Sequence, residues 1–338
     1  MSVAAQGVFV SELHKFIFDG VPVRGILVRL TGAWTEILRR RAANTQTGAW
    51  PLPVQQVLGE MLAAATLMQS NIKFDGALVV QVFGDGPVKL LVAEVQSDLS
   101  LRATASVGGA LEPDATFSSM VNVGNKGRCA ITLDPKNRFP GQQPYQGVVP
   151  LFGDRGERLE RLSDVLGYYM LQSEQLDTRL VLAADEHLAA GLLIQRLPVQ
   201  GGANLAGTQR RGSDEDEIGR NEDFDRIATL AMSLTSEELL GQDSDTILRR
   251  LFWEEPLLRF AAPTGEQAPH FSCSCSRSKV AAMIVGLGEE EARSILAEQS
   301  QVEVGCEFCG QQYRFDPVDV IQLFRAADVP PLGSQQAH

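Results

Sequence analysis

Four of the chain's five cysteines lie in its last quarter, as Cys273-Ser274-Cys275, thirty intervening residues, and Cys306-Glu307-Phe308-Cys309. A C-x-C paired with a C-x-x-C offers four thiols that can converge on one ion. Zinc takes four thiolates in a closed tetrahedral site, and such sites are structural rather than catalytic. Gly310 follows Cys309 and can supply the positive φ a tight knuckle needs. Val302 and Val304, then Tyr313 and Phe315, alternate as two short strands of a hairpin around that knuckle. Two other readings compete. Buried or disulfide-bonded cysteines are not usually spaced this way. A thioredoxin-like C-x-x-C would be set in a βαβ pattern, which is absent here.

The chain has 338 residues, enough for two domains and a small third. The start, Met1 to Gln6, lacks a basic stretch leading into an apolar core, so no signal peptide is expected. No run of about 18 apolar residues predicts a membrane span. The expected compartment is therefore the cytoplasm, where thiols stay reduced and clustered cysteines hold metal. The net charge of −12 argues against a nucleic-acid partner. From Ala262 onward ten acidic residues face five Lys or Arg, a net −5, and four thiolates on Zn²⁺ would add two more negative charges.

The pattern predicts an α+β protein. Its parts are an N-terminal mixed α/β domain with β-hairpins and packed helices (1–199) and a flexible acidic insertion (200–223). A helical linker (224–261), a small C-terminal zinc-binding domain (262–328) and a frayed tail (329–338) follow. Strands joined at Asp19-Gly20 are expected over Val8–Val28, and helices over Trp34–Ala42 and Pro53–Ser70. The second helix carries Val54, Val57, Leu58, Met61, Leu62, Ala65 and Met68 at helical spacing, which reads as core. The run Arg39-Arg40-Arg41 reads as a solvated helix end, with a local anion site as the alternative. A hairpin over Ala77–Val95 turns at Gly84-Asp85-Gly86-Pro87; a strand follows that turn, so it is not a phosphate loop. Strands are expected at Leu101–Val107, Cys129–Leu133, Gly147–Leu151, Arg179–Ala183 and Ala190–Leu197, with a helix over Arg158–Gln175. Cys129, in an apolar strand, reads as a buried inert thiol.

His14, His187, His270 and His338 have no catalytic motif around them, so no enzyme is expected and no catalytic residue is assigned. His270 is not taken as a ligand, because four cysteines complete a tetrahedron. In the linker, Phe224, Ile227, Leu230, Ala231 and Leu234 form one stripe. Thr235 and Glu238 make a capping box for a turn ending at Gly241, and Asp245 caps a helix over Ile247–Glu255 stopped by Pro256. Helices this short need a surface from a neighbouring domain. In the last domain, Ser276 or Ser278 caps a helix over Val280–Val285 closed by Gly286. Glu289-Glu290-Glu291 opens the next helix, and Asp316-Pro317 the last.

Read together, these residues resemble a known family. The segments Cys273-x-Cys275-Ser276-Arg277, Ser294-Ile295-Leu296-Ala297-Glu298 and Cys306-x-x-Cys309-Gly310 are similar to the thirty-three-kilodalton redox-regulated heat-shock chaperones of bacteria, a cytoplasmic holdase family. So are Leu13-His14-Lys15-Phe16, Lys73-Phe74-Asp75-Gly76, Tyr145-Gln146-Gly147-Val148-Val149, Ser173-Glu174-Gln175 and Glu237-Glu238-Leu239-Leu240, so the resemblance spans nearly the whole chain. The acidic insertion is longer than the family pattern leads one to expect. The resemblance implies one Zn²⁺ per reduced chain on Cys273, Cys275, Cys306 and Cys309. On oxidation it implies disulfides Cys273–Cys275 and Cys306–Cys309, and an ATP-independent, homodimeric active form that binds unfolding client proteins.

Physical chemistry makes such a switch workable. A domain of about 60 residues buries little apolar surface. Structural zinc contributes roughly 10–16 kcal/mol of folding free energy, against about 5–15 kcal/mol for the net stability of a whole domain. Disulfides between adjacent cysteines close almost no loop and return little of this. Two alternatives remain open from the sequence. One is a zinc-ribbon module docking a nucleic acid or translation partner, which predicts salt-sensitive binding. The other is a thiol oxidoreductase using Cys306 and Cys309, which predicts turnover. Whether Arg277, Lys279 or Arg314 lies beside the sulfurs is not legible at this level.

Overall fold

The computed structural model describes residues 10–45, 47–139, 141–197 and 214–327, with backbone alone for 214–221. Contacts divide the chain after Ser272 into two units, Met1–Ser272 and Cys273–His338.

The first unit begins with strands β1 (Glu12–Phe18) and β2 (Val23–Leu30), then helices α1 (Gly32–Ala42) and α2 (Leu52–Asn71). A meander follows: β3 (Gly76–Phe83), β4 (Val88–Gln96) and β5 (Ser100–Val107). Next come α3 (Phe117–Val121), β6 (Arg128–Pro135), β7 (Tyr145–Pro150), α4 (Leu162–Glu174), β8 (Thr178–Ala184) and β9 (Ala189–Arg196). Helices α5 (Asp214–Met232), α6 (Ser236–Gly241) and α7 (Ser244–Leu251) lead to two short strands, β10 (Leu257–Arg259) and β11 (His270–Phe271). The expected α+β class is what the chain adopts.

Two sheets organise the unit. One has the order β10-β1-β2-β9-β8, the other β11-β5-β4-β3-β6-β7. All pairs are antiparallel except β11 with β5. Helix α2 packs against strands of both sheets. Fourteen of its twenty residues are buried, among them Leu58, Met61, Leu62 and Leu67. A helix apolar over most of its circumference belongs inside a protein, and α2 is the shared core of the two sheets, with Gln55, Gln56 and Glu60 on its remaining, part-exposed face. The Gly84-Asp85-Gly86-Pro87 turn joins β3 to β4 as expected, and the Asp85 carboxylate accepts from the amides of Gly124 at 2.8 Å and Lys126 at 2.9 Å.

The first sheet is covered on its second face as well. There Phe16, Phe18, Val23, Leu27, Leu192 and Ile194 meet Phe224 and Ile227 of α5, Leu234 of the connection to α6, Leu248 and Leu251 of α7, and Phe252 just after it. Strand β9, buried on both faces, is apolar along nearly its whole length. Opposite Phe16 on β2 stands Gly25; a Cβ there would lie 2.2 Å from the Phe16 ring, so only glycine lets the ring lie flat on the neighbouring strand.

Several boundaries differ from expectation. Residues 200–213 of the expected flexible insertion lie outside the described residues, as does the tail 329–338. Residues 214–223, however, are helical and run directly into the apolar stripe at Phe224. Their residues carry no apolar period, so that helix left no sign in the sequence. The segment 224–261 packs within the first unit's own second core. The contact boundary falls after Ser272 rather than at 262, because β11 pairs with β5.

Asp243, not Asp245, caps α7. Its Oδ1 accepts from the Thr246 amide at 2.9 Å and its Oδ2 from the Thr246 hydroxyl at 2.7 Å, whereas Asp245 pairs with Arg259 at 2.6 Å. That helix ends at Leu251 rather than Glu255. Helix α4 starts at Leu162, since Arg158 is held in a β-bridge to Phe152. The Thr235–Glu238 capping box forms as expected. Cys129 is fully buried, and burial pushes its thiol up to about 12, out of reach of ionisation at neutral pH.

The second unit holds α8 (Arg277–Leu287), α9 (Glu289–Gln299), the hairpin β12 (Val302–Gly305) and β13 (Gln312–Phe315), and α10 (Pro317–Ala327). Ser276 is the cap of α8, accepting from the Lys279 amide at 3.2 Å. The helix runs past Gly286 and stops at Gly288, whose φ of +96° no other residue adopts cheaply. Its buried core is small: Ile284, Ala292, Val302, Phe315 and Val320, with Cys309 also buried.

Candidate metal centre

The strand pairing Val302↔Phe315 to Gly305↔Gln312 places Cys306 and Cys309 in the turn of the β12–β13 hairpin. Two backbone bonds shape that turn: Gly310 N donates to Cys306 O at 2.8 Å, and Cys306 N to Gln311 O at 2.9 Å. Gly310 has the positive φ, +72°, that the knuckle requires. Cys273 and Cys275 lie just before α8, with Cys275 adjacent to the Ser276 cap.

The fold brings all four sulfurs together. Cys273 Sγ lies 3.7 Å from Cys306 Sγ, and Cys275 Sγ lies 3.3 Å from Cys309 Sγ. The four lie within 4.8 Å of one another, and among the described residues this is the one group able to hold a metal ion. A tetrahedron with Zn–S bonds of about 2.3 Å has edges of about 3.8 Å, so the spacing fits such an ion.

The electrostatics of the donors point the same way. Burial opposes ionisation of Cys275, but hydrogen bonds from Tyr313 and then from the other three thiols bring it down to about 7. Cys306 and Cys309 are both pushed upward, by burial first, and in both the charge of a neighbouring sulfur adds to the rise. One thiolate therefore forms readily, and the full set needs a cation in its midst.

Sequence reasoning left the surroundings of the sulfurs open. The three nearby cations are committed elsewhere. Arg277 donates to Asp319 at 2.7 Å and to Arg314 O at 2.6 Å, and its guanidinium lies 4.1 Å from the Phe315 ring centroid. Lys279 Nζ donates to Ser274 O at 2.7 Å, fixing the C-x-C backbone, and Arg314 pairs with Glu303 at 2.9 Å. The side chain found against a sulfur is Tyr313, whose hydroxyl donates to Cys275 Sγ at 3.1 Å, while backbone hydrogen bonds from Phe308 and Cys309 favour the Cys306 thiolate and one from Gln311 that of Cys309. The β-alternation singled Tyr313 out only as a strand residue, because sequence spacing does not reveal which face meets the knuckle.

The chain is similar to known proteins over nearly its whole length. The family model described as Hsp33 protein matches residues 11–316. The chain belongs to the Hsp33 family. The 33 kDa chaperonin of Chromobacterium violaceum is 42% identical over 314 residues, covering 93% of each chain. That of Methylobacillus flagellatus is 40% identical over 328 residues, covering 97% of this chain and 98% of the relative. The crystal structure of the Hsp33 homolog from Thermotoga maritima superposes with a TM-score of 0.70 over 94% of this chain and 99% of that one. At 19% identity it supports the fold alone. Membership in the Hsp33 family makes this a chaperone. Among the described residues no helix is long and apolar enough to cross a membrane.

Proposed function

We propose that the chain is a redox-regulated, ATP-independent holdase of the cytoplasm, not an enzyme. In the reduced form Cys273, Cys275, Cys306 and Cys309 hold one Zn²⁺ as thiolates. When bound, zinc supplies the positive charge that lets four sulfurs ionise side by side, and it ties the segment before α8 to the β12–β13 turn. Tyr313 steadies the Cys275 sulfur. Oxidation joins Cys273 to Cys275 and Cys306 to Cys309. Each new S–S bond passes two electrons to the oxidant, peroxide being reduced to water. The ligand set is then gone, and the second unit and the helices α5–α7 open in turn. Phe224, Ile227, Leu234, Leu248, Leu251 and Phe252 become available, together with the sheet face they cover, and exposed apolar surface of that size captures unfolding clients. The active form is a homodimer, and the net charge of −12 keeps the opened protein in solution.

The observation that carries this reading is the convergence of four sulfurs within 4.8 Å, in a unit whose own buried core is only a handful of side chains. Peroxide with mild heat should release one zinc per chain, read with a chromophoric chelator, and should make the protein suppress aggregation of an unfolding client. Zinc retained, or zinc lost with no gain in holding activity, would overturn it.

A further inference from the structure

The sheet face beneath α5–α7 is apolar at one end and charged at the other. Alternation along the strands puts Glu12, His14, Phe16 and Phe18 of β1 on that face, with Val23, Gly25, Leu27 and Arg29 of β2. Phe16, Phe18, Val23 and Leu27 are buried under the helices. At the charged end Glu12 and Arg29 stand directly opposite each other across the two strands. Each reaches the end of a helix. Arg29 donates from Nη1 to Leu239 O and from Nη2 to Leu240 O, the latter at 3.3 Å. These carbonyls belong to the last turn of α6, where helical donors have run out and which carries no basic residue of its own. Glu12 Oε2 accepts at 2.8 Å from the hydroxyl of Ser244, the buried first residue of α7. A cation thus meets the negative end of one helix and an anion the positive end of the next. Burial works against the charge on Arg29, while Glu12, Asp243 and Asp185 work to keep it. His14 extends the contact. Arg259 can only donate, so His14 accepts from its Nη2 at Nδ1, at 3.4 Å, and donates from Nε2 to Glu12 at 3.0 Å. Arg259, on β10, also pairs with Asp245 of α7 at 2.6 Å.

We propose that Glu12 and Arg29 form a latch that holds the end of α6 and the start of α7 on the sheet and sets how readily these helices leave it. Apolar contact is non-directional, so Phe16 and Phe18 alone would not fix where α6 and α7 sit. The polar contacts exist in one register and break together when the helices lift. A hydrogen bond to a charged group shifts an equilibrium by roughly tenfold or more, so the latch is strong enough to set a threshold. Since Glu12 and Arg29 face each other, an open sheet can pair them, and opening leaves neither charge without a partner. The latch rests on the reading that α5–α7 open on activation, and it names the residues that resist that step.

The test uses the full-length, reduced, zinc-loaded protein and begins with amide hydrogen exchange before any oxidant is added. Arg29→Met keeps an apolar stem but removes the donors. It should speed exchange in α6 and α7 at least tenfold and leave α2 and β9 at the wild-type rate. Arg29→Lys, which keeps a cation at the end of α6, should recover part of the protection. Glu12→Gln, the milder change, should speed exchange in α7. The double variant Glu12→Arg, Arg29→Glu keeps an ion pair across the strands but turns the wrong charge to each helix end, so it should exchange at least as fast as Arg29→Met. Wild-type exchange in Arg29→Met or in the double variant would overturn the proposal, and so would faster exchange that includes α2 and β9. Under peroxide with mild heat, Arg29→Met should reach full holding activity at least threefold sooner than the wild type; equal times despite faster exchange would deny the latch its threshold role. A wild type that never holds a client would overturn the functional reading instead, and the exchange rates would still decide the latch.

Discussion

Oxidising the four thiols should unfold the second unit and leave the two sheets of the first intact. The size of the effect follows from the loops closed. On the chain-entropy model, a Cys273–Cys275 bond is worth roughly 1.6 kcal/mol and a Cys306–Cys309 bond roughly 1.9 kcal/mol. Structural zinc contributes roughly 10–16 kcal/mol, so adjacent pairing leaves a deficit of roughly 6–13 kcal/mol. The four large side chains buried in this unit, Ile284, Val302, Phe315 and Val320, contribute about 1.5–3 kcal/mol each. The deficit is as large as that whole core. Crossed bonds would behave differently. Cys273 with Cys306 and Cys275 with Cys309 lie at 3.7 and 3.3 Å between sulfurs, and each would be worth about 3.8 kcal/mol while still tying distant segments together. The assay is hydrogen exchange on the peroxide-treated protein, with disulfides mapped on peptides of the same sample. Adjacent bonds are expected, with protection lost across α8 to α10 and kept in α2 and β9. Adjacent bonds with protection retained in Cys273–Ala327 would refute the reasoning, and so would crossed bonds in the active form.

Three further outcomes are expected. Tyr313→Phe removes the hydroxyl on the Cys275 sulfur and should weaken metal binding about 10–100-fold, measured by competition with a chelator of known affinity; unchanged affinity would make that bond idle. Phe252 is buried, with its ring 5.0 Å from that of Phe18 and 6.0 Å from that of Phe16. Phe252→Ala should cost about 3–5 kcal/mol and let the reduced protein hold an unfolding client without oxidant; a continued need for oxidant would count against the role given to α5–α7. Glu60 has its folded value raised from 4.5 to about 7, so the folded state binds the extra proton and stability falls as pH rises through that window. The loss is complete above about pH 8, and between pH 5 and pH 8 it is at most roughly 2.5 kcal/mol, reduced by the water that reaches this part-exposed side chain; denaturation at the two pH values should show a loss in the wild type and none in Glu60→Gln.

The clustering of the four cysteines was legible in the sequence because a C-x-C, a C-x-x-C and a following glycine are local chemistry. So were the capping box at Thr235, the β3–β4 turn at Gly84-Asp85-Gly86-Pro87 and the apolar helix α2, since a period of 3.6 or a turn dipeptide is written in consecutive residues. The helical run at 214–223 was not, because a polar helix has no stripe to detect. Nor was the choice of Asp243 over Asp245, which depends on Arg259 arriving from β10 to occupy the second carboxylate. Strand order, the burial of α2 between two sheets, the docking of α5–α7 on Phe16 and Phe18, and the contact of Tyr313 with a sulfur were settled by the tertiary structure alone. Each joins residues far apart in the chain, and which surfaces meet is decided by the packing of all of them together.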